Sequence, residues 1–165
     1  MYMKKIFSPL SKEDIKALKQ DDIVLLSGVI YTARDAAHKK MLEHLQKTGE
    51  MLLKGQTVYY AGPCPPKEGD IVGSAGPTTS YRMDAFTPLF LQNGILATIG
   101  KGQRNQTVIQ AIKKHGGVHF DAIGGAGAYY KNCIKSCQAV YFPELGTEAV
   151  YRLEVEDFPC IVSII

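Results

Sequence analysis

The hydrophobic positions of this chain follow two patterns that alternate along its length. Short continuous apolar runs predict buried strands, whereas apolar residues spaced three or four apart predict helices with one buried face. The predicted strands lie at residues 23–30, 57–61, 71–75, 95–99, 118–123, 139–142 and 160–164. Because strands that alternate with helices form layered domains, the pattern predicts an α/β fold with polar loops at the strand ends.

Helix boundary signals stand between most of these runs. Ser11 with Asp14 three residues later resembles a capping box, and glycines that follow the helical stretches are stop signals. The predicted helices are a short one after residue 11, one at residues 35–48, one beginning near residue 82, one at residues 105–116 and one ending near residue 137. We therefore expect residues 1–165 to form a single domain.

Composition and charge narrow the class of protein. Charged residues make up 21% of the chain and hydrophobic residues 45%, a balance typical of a globular protein. The formal net charge is +3 and the basic residues are scattered, which does not favour a nucleic-acid partner. No apolar leader and no run of membrane-spanning length is visible, so we expect no membrane partner.

The four cysteines, Cys64, Cys133, Cys137 and Cys160, have neither the spacing of a disulfide framework nor the Cys-x-x-Cys pairs of zinc ribbons. A protein-held iron–sulfur cluster needs three or four convergent thiolates. We therefore expect buried, inert thiols and no metal bound by this chain. A reducing cytoplasm is the expected location.

Cations follow several of the predicted strands. Arg34 lies in Thr-Ala-Arg-Asp, Arg82 in Thr-Thr-Ser-Tyr-Arg, and Lys101 in Gly-Lys-Gly. Ligands of α/β sheets bind where such loops converge, and the guanidinium fork of arginine matches a carboxylate. The pattern indicates a site for a dianion. Spacing alone leaves open the alternative that these are solvated surface charges beside ordinary glycine turns.

Two further stretches are rich in small residues. Residues 73–80 read Gly-Ser-Ala-Gly-Pro-Thr-Thr-Ser, which places hydroxyls that can bind an anion next to Arg82; a simple helix cap is the alternative. Residues 124–127 read Gly-Gly-Ala-Gly after a strand, but Tyr130 replaces the third glycine of the dinucleotide fingerprint. Close packing of the following helix is the favoured explanation there.

Taken in order, these segments resemble the β subunit, or C-terminal domain, of class I iron–sulfur fumarases and L-tartrate dehydratases. The resemblance spans about residues 22–162. It rests on Ser-Gly at 27–28, Thr-Ala-Arg-Asp-Ala-Ala-His at 32–38, Tyr-Tyr-Ala-Gly-Pro at 59–63, residues 73–80 with Arg-Met-Asp at 82–84, Ile-Gly-Lys-Gly at 99–102, and Glu-Val-Glu-Asp-Phe-Pro at 154–159.

The resemblance implies a swivelling β/β/α layered domain with mixed sheets, which acts in the reversible hydration of fumarate to malate or the dehydration of tartrate. It implies a larger α subunit that carries a [4Fe–4S] cluster, in a hetero-oligomer, with a homodimer as the form of the isolated chain. This chain would supply ligands for a small dicarboxylate.

The resemblance also implies roles for individual residues. The substrate-binding residues are Arg34, Arg82 and Lys101, and the catalytic hydroxyl is that of Thr78, working with an Asp of the partner. The supporting residues are Asp35, His38 and Thr79. For His38 a purely structural hydrogen bond is favoured. The alternative function is a stand-alone dicarboxylate-binding or regulatory module without catalysis.

Overall fold

The computed structural model describes residues 2–165, so Met1, which the predicted domain includes, lies outside the described residues. The strands are β1 Lys4–Ser8, β2 Ile23–Thr32, β3 Thr57–Tyr59, β4 Ala97–Gly100, β5 Val118–Asp121, β6 Ile134–Tyr141 and β7 Val150–Ile164. The α-helices are α1 Lys12–Lys16, α2 Asp35–Thr48, α3 Thr87–Gln92, α4 Gln106–His115 and α5 Gly127–Cys133, and 3-10 helices lie at Ser80–Met83 and Pro143–Glu148.

Over residues 2–165 the strands form one seven-stranded sheet in the order β1-β2-β3-β4-β5-β7-β6, with a further pairing between β2 and β7. That pairing closes β2, β3, β4, β5 and β7 into a barrel. The pairs from β2 to β5 are parallel, whereas β7 is antiparallel to both β2 and β5. The predicted α/β class with mixed strand pairing is confirmed.

Side chains of the strands alternate between the barrel interior and the helices outside. Tyr59 points inward, where its ring lies 5.1 Å from that of Phe158. Its neighbours on the chain point outward, and Val58 packs in the same cluster as Met41 of α2 and Phe90 of α3. This period of two, with apolar residues on both faces, is the pattern of a sheet buried on both sides.

The parallel strands all end at one edge of the barrel. Thr32, Tyr59, Gly100 and Asp121 are the last residues of β2, β3, β4 and β5. The loops that follow them therefore gather at one rim, which is where ligands of parallel sheets bind. None of the helices in the described part of the chain is long and apolar enough to cross a membrane.

The predicted strand at residues 71–75 is wrong. The Gly73 amide donates to the Cys64 carbonyl at 2.9 Å, and the Cys64 amide donates to the Ser74 carbonyl at 2.8 Å. These residues fold back on the proline-rich loop that precedes them and do not join the sheet. Prolines at 63, 65 and 66 lack the N–H groups that a longer ladder needs.

The predicted helix beginning near Arg82 is also wrong. Residues Ser80–Met83 form a short 3-10 helix, and an α-helix begins only at Thr87. Pro88 lies in the first turn of that helix, where its missing N–H costs nothing. The sequence signal for a helix was therefore right in kind but displaced by several residues.

The C-terminal third contains more strand than predicted. The helix expected to end near Cys137 ends at Cys133, and β6 begins directly after it. The expected strand at residues 160–164 is the end of β7, which is 15 residues long because it pairs with β2, β5 and β6. Strand β1, which sequence analysis missed, adds parallel to β2.

We expect Gly28→Ala to lower the free energy of unfolding by about 3 kcal/mol or more. Gly28 has a φ of +105°, and a Cβ there would collide with the carbonyl oxygen of Ser8 on β1. Urea unfolding measures the change. Gly116→Ala is the control, because φ is +69° but nothing lies within 4 Å of the added Cβ, so it should cost only about 1 kcal/mol. Equal losses would contradict the collision.

Candidate functional site at the barrel rim

Arg34 lies two residues after the last residue of β2 and is the N-cap of α2. Its backbone carbonyl accepts hydrogen bonds from the His38 amide at 2.9 Å and from His38 Nδ1 at 2.8 Å. Its side chain lies against Gly62, where a Cβ would stand 2.9 Å from Arg34 Cδ and Nη1. Within residues 2–165 its buried Nε has no hydrogen-bond partner. A buried donor without a partner is unusual in a folded protein, so this atom marks Arg34 as a candidate binding residue.

Arg82 lies in the 3-10 helix and contacts the N-terminus of α2. Its Nη2 donates to Asp35 Oδ2 at 2.5 Å. The two side chains are 42% and 29% exposed, so the pair adds little stability and a ligand carboxylate can compete with Asp35 for the guanidinium. Since Asp35 adjoins Arg34, the pair draws both arginine-bearing segments together.

Lys101 follows β4 and is joined to the hydroxyl-rich segment. Thr79 and Lys101 form an isolated parallel bridge, and the Ser80 amide donates to the Lys101 carbonyl at 2.8 Å. The Lys101 side chain passes Gly124 in the loop after β5, where a Cβ would lie 3.7 Å from Nζ. Lys101 is therefore on the same rim as the other two cations.

Thr78 is held at the end of β3, because its amide donates to the Tyr60 carbonyl at 2.6 Å. Both Thr78 and Thr79 are half-buried, and neither caps a helix through its side chain. The loop contacts therefore connect Arg34, Asp35, Arg82, Thr79 and Lys101 along one rim. The structure brings these predicted residues together.

His38 lies beneath the rim and not on it. Its ring is surrounded by Tyr60, Phe86 and Phe90, with ring centroids 5.4–5.5 Å away. Burial lowers the pKa of His38 to about 4, so the ring is neutral at pH 7. Its Nδ1–H donates to the Arg34 carbonyl, which fixes the turn that carries Arg34.

A buried arginine that sequence analysis missed lies behind the rim. The Arg104 side chain is 0% exposed, and its Nε donates to Asp84 Oδ1 at 2.7 Å. Its Nη1 donates to Tyr60 Oη at 3.1 Å and its Nη2 to Thr87 Oγ1 at 2.6 Å. Burial alone would lower the pKa of Arg104, but its contacts with Tyr60 and Asp84 raise it above the ordinary value. The group stays charged.

His119 extends this buried polar layer. Arg104 Nη1 lies 3.4 Å from His119 Nδ1. Because a guanidinium can only donate, His119 Nδ1 is the unprotonated ring nitrogen. This nitrogen also accepts a hydrogen bond from Thr98 Oγ1 at 2.8 Å. Nε2 then donates to Ser80 Oγ at 3.2 Å. Burial and then the Arg104 charge lower the pKa of His119 well below its ordinary value. Ser80 is fully buried, so its hydroxyl belongs to this polar layer.

No local signal in the sequence identified Arg104. It stands among Gly102, Gln103 and Asn105 in what reads as a polar loop. Its partner Asp84 belongs to a segment that sequence analysis had already singled out. Only the fold shows that the two residues meet.

Comparison with known proteins gives the family. Residues 3–165 match the model of the fumarase C-terminus. The chain belongs to this family. The predicted relationship is confirmed over nearly the whole sequence.

Relatives in the family differ in how much of their length this chain covers. It is 44% identical to fumarate hydratase 2 of Leishmania major over 86% of this chain and 26% of that protein. It is 41% identical to the aerobic class I fumarate hydratase of Escherichia coli K12 over 98% of this chain and 29% of that protein. The chain thus spans less than a third of the fumarate hydratases it matches.

A third relative is close to this chain in length. The protein named "Putative L(+)-tartrate dehydratase subunit beta" of Methanocaldococcus jannaschii is 42% identical over 98% of this chain and 87% of that protein. The match therefore extends over most of both sequences.

The residues of this fumarase C-terminus chain do not fit an iron–sulfur cluster. In the part of the chain that the structure describes, no three His, Cys, Asp or Glu side chains come together as a metal-binding group. Burial raises the pKa of Cys133, Cys137 and Cys160, which opposes the thiolate form that iron requires.

The Gly-Gly-Ala-Gly stretch has a packing role. Gly127 begins α5 against the loop at residues 74–76, and a Cβ there would collide with Ser74 Oγ and stand 3.1 Å from the Gly76 amide. The Ala75 amide donates to the Gly127 carbonyl at 3.3 Å. The favoured explanation, close packing of the helix, agrees with these contacts.

We expect acidification to destabilise the chain through His38. The pKa of His38 is about 4 in the folded chain, against the ordinary value of 6.5. Above pH 6.5 the ring is neutral in both states, so the contribution of the neutral ring to the free energy of unfolding is complete there. That stability is lost as pH falls toward 4, because the unfolded chain binds a proton that the folded ring does not; the loss is about 3 kcal/mol. Urea unfolding at several pH values measures it. His38→Phe should show a weaker pH dependence than the wild type, and an equal dependence contradicts the assignment.

Proposed function

We propose that this chain is the carboxylate-binding component of a hydro-lyase that adds water reversibly across the double bond of a small dicarboxylate. The proposed reactions are the hydration of fumarate to malate and the dehydration of tartrate. The observation that carries the proposal is the linkage of Arg34, Arg82 and Lys101 along one barrel rim in a member of the fumarase C-terminus family.

Binding of the dianion rests on the different donors of these cations. Each arginine offers a planar fork that can hold one carboxylate by two hydrogen bonds, and lysine adds a compact charge. Among residues 2–165 the buried Nε of Arg34 has no hydrogen-bond partner, and the guanidinium of Arg82 is paired with the half-buried carboxylate of Asp35. Exchange of Asp35 for a substrate carboxylate keeps Arg82 paired throughout.

The same cations favour the proton-transfer step. Loss of a proton from the carbon next to a carboxylate places negative charge on that carboxylate. Fixed cationic donors therefore stabilise the transition state more than the ground state. In this proposal the Thr78 hydroxyl moves the proton between the substrate carbon and an acid of the partner subunit. Thr79 holds the surrounding turn, and Asp35 holds Arg82 until the substrate carboxylate replaces it.

The partner is the second part of the proposal. The residues of this chain do not fit a cluster, so the [4Fe–4S] group implied by the resemblance is assigned to a separate α subunit in a hetero-oligomer. The match to most of a protein named as a β subunit supports that assignment. It also supports this chain acting as one subunit of two.

Reconstitution tests the proposal. The chain purified alone should be colourless and inactive, whereas the complex recovered from native extract should contain iron and hydrate fumarate or dehydrate L-tartrate under anaerobic conditions. Tight binding of fumarate by the isolated chain, with no partner recovered and no hydratase activity, would instead support the stand-alone binding module.

Arg82→Ala should lower kcat/KM of the reconstituted enzyme at least about a hundredfold, the usual cost of one preformed donor to developing charge. Anaerobic initial rates with fumarate measure it. Lys113→Ala is the matched control, because this exposed cation lies in the last turn of α4, away from the rim. A wild-type rate for Arg82→Ala excludes the assigned role.

Gly62→Ala should weaken fumarate binding about tenfold by displacing Arg34, whose Cδ and Nη1 would both lie 2.9 Å from the new Cβ. Titration calorimetry measures the dissociation constant. The control is the double variant: in an Arg34→Ala background, Gly62→Ala should add little, since the residue it displaces is gone. Additive losses would mean that Gly62 acts by another route.

A further inference from the structure

The segments that carry Arg82 and Lys101 have little regular hydrogen bonding of their own. Residues 78–84 contain only a four-residue 3-10 helix, and residues 101–105 form an irregular link between β4 and α4. The backbone contacts between them are the Thr79–Lys101 bridge and the bond from the Ser80 amide to the Lys101 carbonyl. Side-chain contacts add to these two backbone contacts in fixing the relative position of the two segments.

One buried ion pair joins the two segments. Asp84 stands two residues after Arg82, and Arg104 stands three residues after Lys101. Arg104 Nε donates to Asp84 Oδ1 at 2.7 Å, and the Asn105 amide donates to Asp84 Oδ2 at 2.8 Å. Both carboxylate oxygens are thus used, and the two side chains are 0% and 7% exposed. The pair is shielded from substrate and solvent.

Further contacts tie this pair to Thr78. The Arg104 guanidinium carbon lies 5.2 Å from the ring centroid of Tyr60, whose hydroxyl accepts from Arg104 and whose backbone carbonyl holds the Thr78 amide. His119 holds Ser80 from below through its Nε2. The segment at residues 78–84 is therefore held in place at Thr78, Ser80 and Asp84.

Stability alone does not account for such a pair. Replacing a buried ion pair by apolar side chains of similar volume is often neutral or stabilising, because the charges lose their hydration. What an apolar pair cannot supply is a fixed direction at each end of the contact. The guanidinium fork sets the distance and the angle between the two segments.

We propose that the Arg104–Asp84 ion pair is a positioning device for the rim site: it holds Thr78 and Arg82 at a fixed distance from Lys101. The inference rests on the proposed function for its catalytic consequence, but the geometry it describes belongs to this chain alone. Arg104 and Asp84 do not touch substrate and are positioning residues.

The decisive variant is the double replacement Asp84→Leu with Arg104→Met. It removes the pair without leaving a buried charge, so the fold should persist. Arg104→Lys is the second variant, because it keeps the charge and loses the fork. Leu18→Ala is the control. Leu18 is buried and precedes β2, at the end of the barrel opposite the rim. Its replacement should lower the stability of the fold without changing contacts at the rim.

Amide hydrogen exchange on the full chain gives the first readout. In the double variant the Thr78 and Ser80 amides should exchange at least about tenfold faster relative to amides in β7, since their acceptors are no longer held in place. Leu18→Ala should change exchange without singling out these amides. Wild-type protection of both amides in a folded double variant overturns the proposal.

Kinetics of the reconstituted enzyme give the second readout. The double variant and Arg104→Lys should lose about a hundredfold in kcat/KM for fumarate at a temperature where they are folded, the cost of a misplacement of about 1 Å. Leu18→Ala should keep the wild-type value. A folded double variant with a wild-type value also overturns the proposal.

The two proposals fail separately. If the wild-type complex hydrates no diacid, the proposed function is wrong, while amide exchange still decides whether the ion pair holds the two segments. If the wild-type complex is active and the variants behave like Leu18→Ala, the function stands and the positioning role is wrong.

Discussion

Closure of the barrel by β7 is the constraint on which the rest of the structure depends. This strand runs antiparallel to both β2 and β5 and so joins the two ends of the parallel set. The parallel strands are then fixed around one axis, and the loops that follow them have a single rim to occupy. A loop that follows any of these strands is therefore brought to the same rim as the others.

The charges of the molecule are arranged in two layers at that rim. Arg34, Arg82 and Lys101 lie on the outer layer, where water or a ligand can reach them. Beneath them Arg104 is compensated by Asp84, and His38 and His119 are kept neutral by burial. The buried layer therefore fixes the positions of the loops without adding net positive charge. The positive field at the rim comes from the outer cations.

The family relationship and the local geometry point to the same candidate site. The predicted site residues belong to the parts of the resemblance at strand ends and in loops, residues 32–38, 73–84 and 99–102, whereas its parts at residues 27–28 and 154–159 lie within β2 and β7. Loops held by side-chain contacts on a rigid barrel can carry exact side-chain positions, because the barrel limits where each loop begins and ends. The chemistry is thus concentrated where backbone pairing is sparse.

The sequence by itself determined the α/β class, helices α2 and α4, the parallel strands between them, and the residues at their ends, because apolar periodicity, caps and stop glycines act within a few residues of chain. It placed residues 71–75 in a strand and a helix near Arg82 wrongly, since both segments are shaped by distant partners. Tertiary structure alone decided the closure by β7, the docking of Thr78 on Tyr60 and the meeting of Arg104 with Asp84. These depend on which residues far apart in sequence are buried together, and local patterns of hydrophobicity carry no information about that pairing.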